Sequence, residues 1–391
     1  MRWAGAHLAA TAALSLSVSG CFLLSEKKDD APVAGGTQQA APVAVETLEG
    51  AAAVPAAEAP GEAAGEAAVE QPSPVVEGPT AEEIKLLDPG IKAAFDEGMR
   101  AASGGEPDRA LAHFEQAATS DPRTYWAHYN LALLYERKGS LDSAEREYRI
   151  ALDFKPKADR AAENYAKLML RQGRGGEAVA ELRRRADAAP EATGLRNALA
   201  YALMCSKQPD DAIAEAKKVL KLDEKNVRAM FILASVYFEQ GRHELSMMVL
   251  ENARLLEPDR PEVLNLQGVV LLAQEKKLAA REKFRAAAAA RRDFPEAHNN
   301  LGAMLLAAQS WSEAVAELEL AVQYAPGFAQ ARLNLGNAYR GLGDVARARR
   351  QYEEALRLDP SLGAEVNFNL GILFLDAEMN EIGRIERMEQ A

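Results

Sequence analysis

The chain has 391 residues and an acidic balance, with 46 lysines and arginines against 58 aspartates and glutamates and a net charge of −12. The sequence has no basic stripe of the kind that neutralises phosphates, which argues against nucleic acid as a partner. It contains two cysteines and no HExxH motif, so it predicts neither a metal site nor a cofactor.

The first twenty residues have the order of a secretory signal. Met1-Arg2 gives a positive start, the apolar run Ala4–Val18 is too short to be read as a spanning helix, and Val18-Ser19-Gly20-Cys21 closes the segment. These last four residues resemble the bacterial lipobox, in which the cysteine thiol receives a diacylglycerol and becomes the new amino terminus. The resemblance implies a lipoprotein signal peptide over 1–20 and lipidation at Cys21. The alternative is an uncleaved anchor, or a soluble protein with an incidental cysteine.

The residue after the cysteine bears on the membrane to which the protein is sorted. Phe22 stands there, and not aspartate. By resemblance to the sorting pattern of many envelope lipoproteins, this favours the outer membrane. We therefore expect a protein of the bacterial cell envelope that is lipid-anchored and faces the periplasm, although the sequence does not settle inner against outer membrane.

Residues 21–85 form an acidic segment made mostly of Ala, Glu, Pro, Gly and Val. From Phe22 to Lys85 it carries 12 acidic residues and 3 lysines, and it has no aromatic residue after Phe22. Such a composition buries too little apolar surface to offset its ordering entropy, so we predict a disordered tether. As a flexible coil its root-mean-square reach is about 45 Å.

From residue 86 to 362 the chain repeats itself with a period of 34. A small residue recurs at this spacing in eight places, a second small residue follows it after twelve positions, and a mostly large apolar residue follows four positions later. The first set is Gly98, Ala132, Ala166, Ala200, Ala234, Gly268, Gly302 and Gly336. A fixed period of this length predicts a stack of helix-turn-helix units.

Glycine and proline punctuate each repeat. Gly139, Gly173, Gly241 and Gly343 mark the turn between the two helices, and prolines such as Pro122, Pro156 and Pro326 follow the second helix. In repeats four and six, Glu224 and Arg292 stand where this proline is expected, which leaves the ends of those helices open.

These residues resemble the tetratricopeptide repeat; the stretch from Asn130-Leu131-Ala132 to Tyr135 looks like the first helix of that family. The resemblance implies an all-α, right-handed superhelical solenoid of about eight repeats. In the family register, the repeats begin at Ile91, Tyr125, Asp159, Thr193, Val227, Pro261, Pro295 and Ala329. Residues 363–391 start a ninth unit at Asn369-Leu370-Gly371 that is not completed, and we predict a polar capping helix and tail there.

The family places a partner-binding groove on the concave face, lined by the first helices. Carried over residue by residue, the sixth position of the repeat gives Asn130, Asn164, Asn300 and Asn334. Because an asparagine side chain both donates and accepts, a row of them could bind the backbone of an extended peptide. The alternative is that each asparagine satisfies nearby backbone groups.

Aromatic residues occupy groove positions in the middle of the array. Tyr201, Phe231 and Phe238 are the predicted anchors for an apolar peptide or an amphipathic helix, unless they pack between helices as core. Arg340, near the end of the first helix of repeat eight, is a candidate partner for an acidic group or a terminal carboxylate.

No arrangement of residues supports catalysis, so we do not expect an enzyme. The predicted function is a membrane-anchored scaffold that binds proteins or extended peptides and assembles an envelope complex. The layout of leader, tether and long array resembles the tetratricopeptide lipoproteins of bacterial gliding machinery. A pilotin-like assembly factor for pili or secretion, and a non-catalytic adaptor of an envelope enzyme complex, remain alternatives. The sequence leaves open the partner, the oligomeric state and whether the tether occupies the groove.

Overall fold

The computed structural model describes residues 78–80, 83 and 87–389. The predicted signal peptide and Cys21 lie outside these residues, as does the tether apart from 78–80 and 83. In the described part the chain forms seventeen α-helices, one short 3-10 helix and no strand, which confirms the all-α solenoid. No helix there combines the length and the apolar character that crossing a membrane requires.

The helices follow one another in pairs along the chain. They are α1 (Pro89–Ser103), α2 (Pro107–Ser120), α3 (Tyr125–Arg137), α4 (Leu141–Phe154), α5 (Asp159–Arg171), α6 (Gly175–Ala188), α7 (Thr193–Cys205), α8 (Pro209–Leu222), α9 (Val227–Glu239), α10 (His243–Leu256), α11 (Pro261–Ala273), α12 (Lys277–Ala290), α13 (Pro295–Ala307), α14 (Trp311–Tyr324), α15 (Ala329–Gly341), α16 (Val345–Leu358) and α17 (Gly363–Glu389), with the 3-10 helix at Pro360–Leu362.

The first helices of repeats two to eight begin at the residues that the 34-residue register gives, from Tyr125 in α3 to Ala329 in α15. The exception is α1, which begins at Pro89 and not at Ile91. The side chain of Asp88 accepts a hydrogen bond from the Gly90 N–H, and a proline at the first helical position has its φ already set for a helix. These two local signals start the helix two residues early.

The second helices of repeats four and six end where the others do, although proline is missing there. Both α8 and α12 have 14 residues, as do the second helices of the other six repeats. The residues that follow them, Asp223 and Arg291, adopt extended backbone with φ of −142° and −143°. The change to extended backbone therefore ends the helix even without a proline.

Each repeat is held together where the second helix crosses the small residue of the first. A Cβ placed on Gly268 would lie 2.6 Å from the ring of Phe284, and one placed on Gly336 would lie 2.5 Å from the ring of Tyr352. Phe284 and Tyr352 are fully buried. The small residue is thus what allows the two helices to approach so closely.

The turn between the two helices of a repeat needs a residue with positive φ. Gly105, Gly139, Gly173, Gly241 and Gly343 have φ between 73° and 77°. In the other three repeats the same turn is made by Lys207, Glu275 and Gln309, with φ of 58°, 61° and 58°. Side chains other than glycine are strained in this region, so these three turns store strain that the glycine turns avoid.

The terminal unit forms the predicted capping helix but differs from it in polarity. α17 is a single helix of 27 residues, and the side chains of Phe368, Phe374 and Leu375 on it are more than half exposed. The predicted capping helix is therefore present, but its exposed surface is not polar. Glu378 stands seven residues after Gly371, at the position of the turn residue in complete repeats, and there the helix continues instead of turning back.

Replacing Gly336 by leucine should lower the free energy of unfolding by about 1–3 kcal/mol, because the added side chain has no room beside Tyr352. Gly176→Leu is the control, since Gly176 is an exposed helical glycine with no heavy atom within 4 Å of its Cβ position. Urea unfolding followed by circular dichroism compares the two variants. Equal midpoints would show that this contact does not control stability.

Replacing Gln309 by glycine should raise the free energy of unfolding by about 0.5–1 kcal/mol, because it removes the strain of a left-handed backbone from a non-glycine residue. Gly139→Gln makes the reverse change at the same turn and should lower stability. The measurement is the thermal unfolding midpoint of each variant. A lower midpoint for Gln309→Gly would contradict the account.

Candidate functional site: the concave groove

A cavity of about 270 Å³ opens on the side of the solenoid lined by the first helices of repeats three to five. We call it the groove. Its walls come from α5, α7, the start of α9 and the loops that precede α9 and α11. It is lined by Asp159, Glu163, Gly194, Asn197, Ala198, Asp223, Lys225, Asn226, Val227, Arg228, Glu257 and Arg260. The lining is mainly charged and polar, whereas the sequence predicted aromatic anchors.

The α5 and α7 walls approach closely because α7 carries glycine near its start. A Cβ on Gly194 would lie 2.7 Å from the backbone Cα of Asp159, so no larger residue fits without moving α7. Burial, with the nearby Glu163 carboxylate, raises the pKa of Asp159 despite the hydrogen bond that it accepts from the Gly194 backbone. Glycine at this position sets the width of the groove at this point.

An ion pair crosses the groove from α9 to α5. Arg228 Nη2 lies 2.9 Å from Glu163 Oε1, and Lys167 Nζ lies 2.8 Å from the same oxygen. Burial disfavours the charged carboxylate, but Arg228 and Lys167 more than offset it and lower the pKa of Glu163 to about 2. The two cations therefore hold Glu163 ionised throughout the physiological pH range.

Arg228 also covers the aromatic residues that the sequence singled out. Its guanidinium lies 5.1 Å from the ring centroid of Tyr201 and 5.7 Å from that of Phe231, within the range of cation–π attraction. Tyr201 is 4% exposed and Phe231 is 7% exposed, and burial raises the pKa of Tyr201 to about 12. The predicted exposed anchors thus lie beneath an arginine, and their role in partner binding stays a prediction.

Phe238, the third predicted anchor, is half-buried at the end of α9. Its ring meets that of His243 edge-on, with centroids 5.3 Å apart. His243 is the first residue of α10, the second helix of the same repeat. Phe238 therefore contacts its own repeat and is not part of the groove lining.

The predicted asparagine row is bonded within the solenoid. Asn334 Nδ2 donates to Asn299 Oδ1 at 2.9 Å, and Asn300 Nδ2 donates to Asn265 Oδ1 at 3.0 Å. Each bond joins the sixth position of one repeat to the fifth position of the repeat before it. Asn164 makes the equivalent bond, with Nδ2 donating to Tyr129 Oη at 3.1 Å.

These asparagines offer little surface to a partner. Asn300 is fully buried, Asn334 is 4% exposed and Asn130 is 1% exposed; Asn164 is half-buried. These asparagines bond groups within the protein, as in the alternative given above. The partners are side chains of the preceding repeat and not backbone groups. Direct binding of a peptide by these four residues remains a prediction that would require competition with the existing bonds.

Arg340 lies far from the groove, at the other end of the array. It is half-buried on α15, and its Nη1 atom is buried with no hydrogen-bond partner among the described residues. Burial raises the pKa of Tyr352 well above its ordinary value, and the positive charge of Arg340 partly opposes this rise. The structure does not bring Arg340 together with the aromatic anchors, and its predicted role is untested.

Asn197 is the groove residue that the sequence reasoning missed and that has an open bonding position. Its Nδ2 donates to Asn226 Oδ1 at 3.0 Å, while its Oδ1 is buried with no donor among the described residues. Asn197 is 8% exposed. It occupies the fifth position of its repeat, a groove position in the family register, which was the signal available in the sequence.

Comparisons with known proteins identify the repeats. Models of the tetratricopeptide repeat family match residues 95–159, 203–269, 265–329 and 329–362. A segment of 64 residues is 41% identical to the Hsp70-Hsp90 organizing protein of Triticum aestivum, a match that spans 16% of this chain and 11% of that protein.

Two solved structures show the same fold. Yeast Tom70 superposes with a TM-score of 0.56 at 14% identity, over 77% of this chain and 67% of that one. A tetratricopeptide repeat protein from Parabacteroides merdae superposes with a TM-score of 0.51 at 17% identity, over 64% of this chain and 99% of that one. At such identities the likeness concerns the fold alone.

The chain belongs to the tetratricopeptide repeat family. Proteins of this class bind peptides or other proteins and are typically non-catalytic, so this chain is a protein-interaction scaffold.

Replacing Glu163 by glutamine should lower the free energy of unfolding by about 1–3 kcal/mol at pH 7, because it leaves Arg228 without its half-buried partner. Since the pKa of Glu163 is lowered from 4.5 to about 2, its contribution is complete above pH 4.5. It is lost as the pH falls towards 2.

The test compares urea unfolding of the wild type and Glu163→Gln at pH 7, 4.5 and 2.5. We expect a constant difference down to pH 4.5 and a smaller one at pH 2.5. A difference that instead disappeared between pH 7 and 5 would mean that the ion pair does not hold the carboxylate ionised.

Proposed function

We propose that this chain is a lipid-anchored scaffold of a bacterial envelope that binds an extended segment of a partner protein in the groove and so assembles an envelope complex. The observation that carries the proposal is the groove itself, a cavity of about 270 Å³ lined mainly by polar and charged residues from three successive repeats. An extended segment lying in it would contact all three repeats at once.

The charges of the groove favour a polar segment over an apolar one. Lys225 and Arg260 lie on the rim beside the central Arg228–Glu163 pair. Arg260 is half-buried, and its Nη1 lies 2.8 Å from Glu257. An acidic side chain of the bound segment could share these two cations.

Anchoring at Cys21 would make such binding effective at the membrane. A lipidated scaffold confines its partner to a thin layer and raises the effective concentration without a new contact. More than one acyl chain gives stable attachment, at about 0.8 kcal/mol per buried CH₂. We propose the outer membrane as the site of attachment, from the position of Phe22, and the gliding machinery as the complex, from the layout of leader, tether and repeats.

The first test is an affinity pull-down of the anchored protein from its native envelope, with Cys21→Ala beside it and bound proteins identified by mass spectrometry. Motility components that are captured by the wild type and lost with Cys21→Ala support the proposal. Secretin or pilus components would point to a pilotin-like factor. A catalytic subunit captured equally by both versions would point to an enzyme-complex adaptor and contradict the role of the anchor.

The second test reverses charge in the groove. The variant Lys225→Glu with Arg260→Glu should reduce partner capture at least tenfold, because it replaces both rim cations by anions. The matched control is Lys277→Glu with Arg285→Glu, which makes the same change in net charge at exposed positions of α12. Asn197→Ala should weaken capture as well. Equal capture by the groove variant and the control would exclude the groove as the binding site.

A further inference from the structure

The last helix leaves the end of the solenoid uncovered. In the complete repeats whose first helix carries glycine, a large side chain lies on that glycine, as Tyr352 lies on Gly336. Gly371 is the equivalent residue of the ninth unit, and no heavy atom lies within 4 Å of its Cβ position. Among the described residues, none fills the position that a second helix occupies in the other repeats.

Large apolar side chains stand exposed around this position. Phe368 and Leu375 are each 62% exposed and Phe374 is 52% exposed. These three are among the ten large hydrophobic residues that are exposed in the described part of the chain, and they lie within eight residues of one another. The opposite side of the helix, with Val366 and Leu373, is buried against the solenoid.

Phe368 and Leu375 belong to a regular stripe. Ala364, Phe368, Gly371 and Leu375 follow one another at intervals of four, three and four, which puts them on one side of α17, and we call this side the terminal face. Large and small residues alternate along it. The same heptad spacing continues in the sequence through Glu378 to Ile382 and Ile385.

This alternation makes the terminal face complementary to itself. On a second copy of the helix, a large residue can lie over the small residue of the first copy, and the reverse contact forms at the same time. Such reciprocity is the property of a two-fold interface, and the heptad spacing is that of helices packed side by side. A second copy therefore fits the face without any further assumption about the partner.

The length of α17 also favours a second copy of this helix as the partner of the terminal face. Its 27 residues extend about 40 Å, whereas the 13-residue first helices of the array extend about 20 Å. An isolated stretch of helix is marginal in water, and packing along a second copy would stabilise it. Specific interfaces bury at least about 1,200 Å², so the contact must run along the helix and not only over three side chains.

We propose that the protein forms a homodimer through the terminal faces of two α17 helices. The concave grooves of the two copies stay clear of this contact, because the groove lies in repeats three to five. Glu378 interrupts the apolar stripe and would fix the register of the pair at some cost in affinity. The dimer would carry two grooves and two lipid anchors.

Sedimentation equilibrium of the purified full chain, in a density-matched detergent so that the micelle does not contribute, tests the proposal. We expect a dimer for the wild type and a monomer for Phe368→Glu with Leu375→Glu. The control is Met248→Glu with Leu278→Glu, two residues on α10 and α12 that are 56% and 68% exposed, and it should remain dimeric. Because all four side chains are exposed, neither variant should unfold the chain.

Gly371→Leu provides a second readout, since it fills the space that the partner helix needs without adding charge. It should raise the dimer dissociation constant at least tenfold. A wild type that is monomeric up to 100 μM would overturn the proposal, and so would a dimer that persists in both the charged variant and Gly371→Leu. Cross-linking of the terminal face to an unrelated envelope protein in place of a second copy would overturn it as well.

Discussion

The contact between a small residue of one helix and a large residue of the next is the constraint on which the whole array depends. It recurs at intervals of 34 residues except in repeat four, where Ala216 stands in place of the large residue. Where the small residue is glycine, as at Gly268 and Gly336, no Cβ fits without a shift of the large side chain. Because each repeat contacts mainly its neighbours, the array is built from many equivalent local contacts. This contact sets the distance between the two helices of a repeat. At Gly371 it is absent, and no second helix among the described residues packs on the last helix.

The positions of the helices could be predicted because the signals for them are local. The 34-residue register gave the starts of seven first helices, from Tyr125 to Ala329. Proline and glycine gave most of the turns, and even the departures have local causes, such as the Asp88 cap that starts α1 early. The capping helix was predicted as well, but its polar character was not confirmed, because Phe368 and Leu375 are exposed on it.

The chemistry of the groove could not be predicted in the same way, because it depends on side chains from three repeats at once. Arg228 lies over Tyr201 and Phe231 while it pairs with Glu163, which is 65 residues earlier in the chain. The 34-residue repeat pattern assigns each of these residues a groove position. It does not show that the side chain of Arg228 covers the two aromatic rings. The result changes the expected ligand from an apolar peptide to a polar one. It also means that Phe231→Ala would affect folding and binding together.

The asparagines show the same limit. The row at the sixth position was visible in the sequence, while its partners Asn265 and Asn299 at the fifth position were not considered. The bonds run between adjacent repeats and tie the first helices to one another. Their role in the structure is therefore to join neighbouring repeats along the inner face, and Asn197 is bonded in a similar way, through its Nδ2 to Asn226 Oδ1.

The central claim is that a partner lies in the groove and not on the outer face. Site-specific photo-cross-linking in living cells tests it directly, with a photoreactive amino acid at Lys225 on the groove rim and, in a second strain, at Lys277 on α12. The account predicts a cross-linked partner protein from position 225 and none from position 277. The same products from both positions, or products from position 277 alone, would contradict it.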